Sequence, residues 1–368
     1  MRILLWSALY NPLIGGVERY TERLAKGLVR LGCTVEVITN ETSDTSPTET
    51  IAGVTVTRLP FPGSRRGDMN AFRSVRDGLR QVTERLQPQL LNLQTSGPSI
   101  VHYQLHRRAL QMPLVTTFHG IYPLEASVQL LVSQHMALSA AAITSSAATK
   151  ASLVAIVGEP ATELHVRLPS LDDELRPPIP ALATTARILG LGRLATEKGW
   201  QTLIEAMPIV LNAVPNAQLE FVGDGDDRQR LEGLVAERGL TSAVSFAGTV
   251  DDDSLIELLD GCNLACMPTS GEEGFGMVAI EAASRARPVV ATKSGGLVEA
   301  VLDGVTGVLV PIADASALAA ALIRVLVDQP LAAELGRRGR EYVSSLTIDA
   351  LAAATLETFQ RALLSGRP

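Results

Sequence analysis

Cysteine is scarce in this chain, and the three present do not form a recognisable set. Cys33, Cys262 and Cys266 cannot all pair with one another. The Cys262/Cys266 spacing also lacks the flanking His or Cys of a zinc site. A disulfide scaffold and a zinc module are therefore both disfavoured, and buried, reduced thiols are expected. Long apolar runs are missing as well. No stretch reaches the roughly 18 uninterrupted apolar residues of a membrane-spanning helix. The segment Met1-Arg2 followed by Ile3–Tyr10 has the outline of a short signal peptide but no small-residue cleavage site. A first buried strand running into a Gly15-Gly16 loop explains it better. The expectation is a soluble, cytoplasmic protein. Short-period repeats and low-complexity tracts are also lacking, although the C-terminal third is rich in alanine.

What is present is enough for two packed domains. The chain has 368 residues, 46% of them hydrophobic and 19% charged, a size and composition that argue against disorder. The net charge of −7 is unevenly spread. Residues 1–176 carry 17 Lys/Arg against 15 Asp/Glu, and residues 177–368 carry 15 against 24. The stretch 58–108 holds 9 Arg and no Lys, opposed only by Asp68, Asp77 and Glu84. Such a stretch implies that one face of the N-terminal half meets something anionic, or that Arg73, Arg76 and Arg80 simply form the solvated face of a helix.

Strand-like apolar runs alternate with helix-period segments throughout, which predicts an α/β fold with parallel sheets. Ile3–Ala8 reads as the first strand and Glu18–Leu31 as the helix after it. Val35–Thr39 is the next strand. Asp68–Leu86 carries apolar residues at spacings of three and four (Met69, Phe72, Val75, Leu79, Val82, Leu86) and predicts a helix. Leu90–Leu93, Leu114–Phe118 and Ala141–Thr144 read as strands. Pro177, Pro178 and Pro180, followed by Ala-Leu-Ala-Thr-Thr, read as an extended linker. The rhythm then restarts with Ile188–Leu191, Leu219–Val222, Val244–Phe246, Leu264–Met267 and Val289–Ala291. The reading is two Rossmann-like domains, residues 1–176 and 177–347, facing across a cleft. A final apolar-striped helix, residues 348–368, is expected to pack back on the first.

The most informative window runs from Glu273 to Glu281, after the strand Leu264–Met267. Gly274 and Gly276 allow a ligand close to the backbone. The helix expected from about Phe275 to Ala286 would offer unpaired N–H groups and a positive dipole end, which suit a pyrophosphate. Glu281 lies five residues beyond Gly276, roughly 7.5 Å along a helix axis at ~1.5 Å per residue. One carboxylate before the loop and one on the helix can straddle a long, hydroxyl-rich ligand. Taken singly, each glutamate is more ordinarily a solvated charge. Arg193 and Lys198 follow a buried strand between Gly192 and Gly199. A guanidinium fork and a mobile ammonium there suit diphosphate oxygens better than an idle exposed loop.

Glu273 and Glu281 with Gly274-Phe275-Gly276 between them resemble the signature of retaining glycosyltransferases of the two-Rossmann, or GT-B, type: glycosyltransferase family 4, the glycosyl transferases of group 1. Other stretches resemble the family in order. They are Ile188–Trp200 with its Gly-Arg and Lys-Gly, Leu219–Gly225, Val244–Val250, and the run Gly295-Gly296, Glu299, Gly304, Gly307. In the N-terminal half, Gly15-Gly16-Val17-Glu18 and Thr117–Gly120 match. The resemblance implies that Arg193 and Lys198 bind the diphosphate and stabilise the charge growing on it as the sugar departs. It implies that Glu281 binds the ribose and Glu273 the donor-sugar hydroxyls. The backbone of Phe275, Gly276, Met277 and Val278 would reach sugar and phosphate, and that near Val250 the base. His119 would lie across the cleft near the transferred sugar, with Gly16 near the distal phosphate or the acceptor. It further implies same-face attack, the departing phosphate helping to deprotonate the acceptor, with no metal required. The chain departs from the family pattern at Cys33, at Asn92-Leu93-Gln94, where a His-x-His often stands, and at Pro169–Asp173. All lie in the N-terminal half, which leaves the acceptor open.

Three other signals are discounted. Asp251-Asp252-Asp253 imitates a metal-binding Asp-x-Asp, but better caps a helix starting near Ser254. His102 and His106 stand at helical spacing without the glutamate of a zinc protease. Gly190-Leu191-Gly192 opens a dinucleotide fingerprint whose third glycine is replaced by Ala195. The reading is a hexosyltransferase that moves a sugar from a UDP- or GDP-sugar to a glycan, glycolipid or small-molecule acceptor. The Arg-rich stretch 58–108 would face that acceptor or an anionic membrane, and nucleic acid is not expected as a partner. A nucleotide-sugar epimerase on the same fold and a non-catalytic nucleotide-sugar-binding protein are the alternatives.

Overall fold

Segments of four to seven residues, many of them apolar and bounded by turn residues, become the strands of two sheets. The computed structural model describes residues 1–12, 15–42, 45–95, 98–120, 126–171, 179–181 and 186–365. Pro177, Pro178 and residues 182–185 of the expected linker lie outside the described residues, as do Asp172 and Asp173. The first sheet contains β1 (Arg2–Ser7), β2 (Thr34–Asn40), β3 (Thr48–Ile51), β4 (Val54–Leu59), β5 (Leu90–Thr95), β6 (Leu114–Phe118), β7 (Ala141–Thr144) and β8 (Glu163–Val166). Their spatial order is β3-β4-β2-β1-β5-β6-β7-β8. All neighbours pair in parallel except β3 and β4, an antiparallel hairpin that the apolar pattern does not reveal.

The second sheet contains β9 (Arg187–Leu191), β10 (Gln218–Val222), β11 (Val244–Gly248), β12 (Leu264–Met267), β13 (Val289–Thr292) and β14 (Gly307–Val310), in the order β11-β10-β9-β12-β13-β14. Every pairing in it is parallel. Central strands are buried on both faces, as Ile3, Leu4, Leu5 and Trp6 show in β1 and Leu264, Ala265 and Cys266 in β12. That accounts for their near-continuous apolar sequence.

The chain divides into two compact units, Met1–Ser170 with Leu346–Pro368, and Leu171–Ser345. The C-terminal helix Ile348–Leu364 joins the first unit through specific contacts. Arg167 donates from Nε to the Ala354 carbonyl at 2.9 Å and from a terminal nitrogen to Thr358 Oγ1 at 3.0 Å. Gly27 faces it so closely that an added Cβ would stand 2.6 Å from Ala352 Cβ.

Helix ends differ from the apolar pattern where backbone geometry intervenes. The helix after β12 runs Met277–Ser284, shorter than the expected 275–286, because Gly276 at φ +106° and Ala286 at φ +53° lie in the left-handed region. The helix after β1 starts at Gly16 and ends at Arg30, leaving Leu31 outside it and 42% exposed. Asp68 caps Met69–Leu86 by accepting from the Asn70 and Ala71 N–H groups at 2.8 and 3.2 Å. Asp251 caps Asp252–Gly261 through the Ser254 N–H at 2.8 Å, the structural role expected of the Asp triplet. All three cysteines are free and buried.

Candidate active site

In the second unit the chain passes from β9 outward through β10 and β11, then returns to β12 on the other side of β9. Ligands of open parallel sheets collect at such a switch, beyond the carboxyl ends of the two diverging strands. The loops leaving β9 and β12 are the ones that carry Arg193, Lys198, Glu273, Gly274 and Gly276.

Backbone contacts lock these loops together. The Glu197 carbonyl accepts from the N–H groups of both Ser270 and Gly271 at 2.9 Å. Gly199, at φ +70°, lies so near the second loop that a Cβ would sit 2.0 Å from the Pro268 carbonyl oxygen. Trp200 Nε1 donates to the Arg193 carbonyl at 2.8 Å and ties the start of the first loop to the helix that follows. Beneath the second loop, Gly296 N–H donates to the Glu273 carbonyl at 2.7 Å. A Cβ on Gly295 would approach that same oxygen to 2.2 Å.

Across this frame Lys198 Nζ donates to Glu273 Oε2 at 2.7 Å, with both side chains half-buried. Arg193 turns onto Glu197 instead, in an exposed ion pair. Such a pair contributes little, about 0–1 kcal/mol, so a stronger anion can recruit the guanidinium. Gly276 is the N-cap of Met277–Ser284, and that helix has neither a side-chain cap nor an acidic residue in its first turn. Its positive end is thus not neutralised by a carboxylate of its own first turn. Gly274 and Phe275 are buried, while Met277 and Val278 are half-buried at the helix start. Glu281 is buried on the same helix at 4% exposure. Val250 follows β11, two strands from β9.

The first unit holds the remaining expected residues. Gly16 opens the helix after β1, and Glu18 in its first turn has a carboxyl pKa raised by burial. His119 follows β6 and is half-buried. The Tyr20 ring meets it edge-on with centroids 4.6 Å apart, and Ser145 Oγ donates to its carbonyl at 3.1 Å. Its Nε2 stands 2.7 Å from Gln94 Oε1. Desolvation pushes its pKa down to about 3, so the ring is neutral at ordinary pH.

Several contributors are not evident from residue type. Gly295, Gly296, Ser270 and Gly271 act through their backbone, and Trp200 through one N–H. Only the paired glycines and the Lys198-Gly199-Trp200 run hint at them. His102 and His106 are buried beside Phe61, and His106 Nε2 lies 2.9 Å from Ser64 Oγ, which makes them core residues. Among the nine arginines of 58–108, Arg58 is buried against Glu49 and the Asn11 carbonyl, and Arg85 reaches the buried Glu36. Arg73, Arg76 and Arg80 are exposed.

Two parallel-sheet units, with paired cationic and carboxylate side chains at a switch point, define an enzyme of the two-Rossmann glycosyltransferase class. A model of the glycosyl transferases group 1 family matches residues 172–342, and one of glycosyltransferase family 4 matches residues 14–175. The chain belongs to this family of glycosyltransferases. It is 30% identical to a glycogen synthase of Mycobacterium tuberculosis, over 95% of this chain and 91% of that one. It is 28% identical to a phosphatidyl-myo-inositol mannosyltransferase of Mycobacterium leprae, over 96% and 94%. Among solved structures, sucrose-phosphate synthase of Thermosynechococcus elongatus superposes with a TM-score of 0.87 at 25% identity, covering 99% of both chains. Anabaena HepE, solved with UDP and glucose, has the same fold, with a TM-score of 0.79 at 22% identity over 98% of this chain and 99% of that one.

Proposed function

We propose that the protein is a retaining hexosyltransferase that takes a UDP- or GDP-activated sugar and passes the hexosyl group to a glycan, glycolipid or small-molecule acceptor. The observation that carries this reading is the Lys198–Glu273 ion pair beside the uncapped start of Met277–Ser284. It assembles a cation for phosphate, a carboxylate for hydroxyls and a helix N-terminus in one place. On donor binding, Lys198 and Arg193 move onto the diphosphate and Glu273 onto the sugar hydroxyls. Glu281 takes the ribose hydroxyls, the backbone of Gly274, Phe275, Gly276, Met277 and Val278 lines sugar and phosphate, and the backbone near Val250 meets the base. In the first unit, His119 and Gly16 serve the sugar and acceptor side.

The choice between UDP and GDP stays within what relatives use. Anabaena HepE was solved with UDP-glucose. A Mycobacterium tuberculosis relative, 32% identical over half of this chain, is a GDP-mannose-dependent mannosyltransferase. In the proposed step the bond from the anomeric carbon to the phosphate oxygen breaks. The acceptor oxygen bonds to the same face, and its proton passes to the departing diphosphate. Lys198 and Arg193 neutralise charge that grows only in the transition state, where it lowers the barrier most. No metal is required in this scheme. The exposed arginines of 58–108 are assigned to an anionic acceptor or membrane face of a cytoplasmic protein.

NMR of nucleotide sugars incubated with the protein tests this reading. Release of nucleoside diphosphate that depends on an added acceptor, with a product of the donor's anomeric configuration, is expected. Conversion of the donor sugar without acceptor would make the protein an epimerase, and binding without turnover would make it a binding protein.

A further inference from the structure

His119 hydrogen-bonds to a chain of two amides whose direction can be read from one end. On β5, Asn92 Nδ2 donates to the Val115 carbonyl at 3.0 Å and to Thr117 Oγ1 at 2.9 Å. A backbone carbonyl only accepts, so the Asn92 nitrogen must face it and the Asn92 oxygen must face the other way. That oxygen meets Gln94, which therefore presents its own nitrogen to Asn92. The Gln94 oxygen is left facing His119 Nε2 at 2.7 Å. An amide oxygen cannot donate, so Nε2 carries the proton. Asn92 and Gln94 are both fully buried, and water cannot reach them to relax the arrangement.

We infer that Asn92 and Gln94 are positioning residues, which hold His119 as the Nε2–H imidazole and leave Nδ1 as an unprotonated hydrogen-bond acceptor for a hydroxyl group. Desolvation supports this, because it keeps the ring uncharged. Among the described residues Nδ1 meets no hydrogen-bond partner of the protein. His119 then contributes no positive charge to a departing phosphate. Instead it orients a hydroxyl donor, which on the transferase reading belongs to a sugar. That last clause rests on the proposed function, whereas the tautomer does not.

Long-range proton–nitrogen spectra of the full chain, labelled at its five histidines, decide the tautomer. The His119 signals are identified by their loss in His119→Gln. A protonated Nε2 and a bare Nδ1, unchanged between about pH 5 and 8, are expected for wild type. Asn92→Leu leaves the His119 contact untouched but frees the Gln94 amide to turn over. Both ring nitrogens should then move toward averaged positions, while the other four histidines keep theirs and report an intact fold. A wild-type Nδ1–H ring, an imidazolium at pH 7, or a folded Asn92→Leu with the wild-type tautomer would overturn the relay.

The acceptor role is read from turnover of UDP-glucose or GDP-mannose. His119→Asn keeps an oxygen near the position of Nδ1 and should retain at least about tenfold more kcat/KM than His119→Leu. Equal losses in the two variants would refute that role. If wild type turns over no nucleotide sugar, the proposed function fails, and the spectra still decide the relay.

Discussion

Lys198 and Glu273, 75 residues apart in the chain, form a 2.7 Å ion pair with side chains 24% and 15% exposed. On the proposed function, these are the side chains that would meet phosphate and sugar. On that reading the pair is a holding contact without ligand and gives way to two separate ligand contacts with it. Removing Lys198 takes away charge that matters most in the transition state. Lys198→Ala should lower kcat by on the order of 10²–10³-fold with a smaller change in donor KM. Steady-state kinetics at saturating acceptor would measure it; a loss confined to KM would mean that Lys198 only binds the donor.

Gly295 and Gly304 give a matched test of the loop scaffold. Both have positive φ, +46° and +71°, but a Cβ on Gly295 would meet the Glu273 carbonyl oxygen at 2.2 Å, whereas Gly304 faces open space. Gly304→Ala should cost only about 1 kcal/mol of backbone strain and leave donor binding intact. Gly295→Ala must displace Glu273 as well, and should cost more stability and weaken donor binding. Melting curves with and without nucleotide sugar would show this. Equal behaviour of the two variants would count against the scaffold.

All five histidines lie in the first unit. Burial lowers the pKa of His119 to about 3 and those of His102 and His135 to about 4, and that of His106 is also lowered. The unfolded chain, with histidine near 6.5, binds more protons than the folded one below that pH. The stabilisation is thus complete above about pH 6.5 and is lost as pH falls toward the folded values. Limited proteolysis at pH 7 and pH 5, with fragments identified by mass, should show the first unit opening at pH 5 while Leu171–Ser345 stays resistant. Cleavage of both units alike would contradict this.

The exposed arginines Arg73, Arg76 and Arg80 should bind anionic vesicles at low salt and release them as salt is raised. Sedimentation with phosphatidylserine-containing vesicles tests it, alongside a variant with all three changed to Gln. Wild type that stays in the supernatant at low salt would reduce these side chains to a solvated helix face.

Ten strands and the Met69–Leu86 helix were legible because burial imposes period two, period 3.6 or continuous apolarity on the sequence; the four-residue strands Glu163–Val166 and Gly307–Val310 were not read. Ile348–Leu364 was legible for the same reason. The β3–β4 hairpin was not, since Thr48–Ile51 is a half-exposed edge strand with no apolar signature. In the site, side chains with unusual neighbours stood out: Glu273, Glu281, Arg193 and Lys198. What positions them did not, because backbone hydrogen bonds from Ser270, Gly271 and Gly296 carry no side-chain signal. The pairing of Arg193 with Glu197 and of Lys198 with Glu273 depends on how two loops meet. The Asn92–Gln94–His119 relay likewise depends on the register of β5 against β6.

Binding of a panel of UDP-, GDP- and ADP-sugars, followed by thermal shift in wild type, Glu281→Ala and Lys198→Ala, tests the donor site most directly. One nucleotide class should stabilise wild type, by about 2.7 kcal/mol at a hundredfold excess over Kd, and both variants should lose most of that gain. A wild type stabilised by none of them, or variants stabilised as fully as wild type, would contradict the placement of a nucleotide-sugar site between the loops of Lys198 and Glu273.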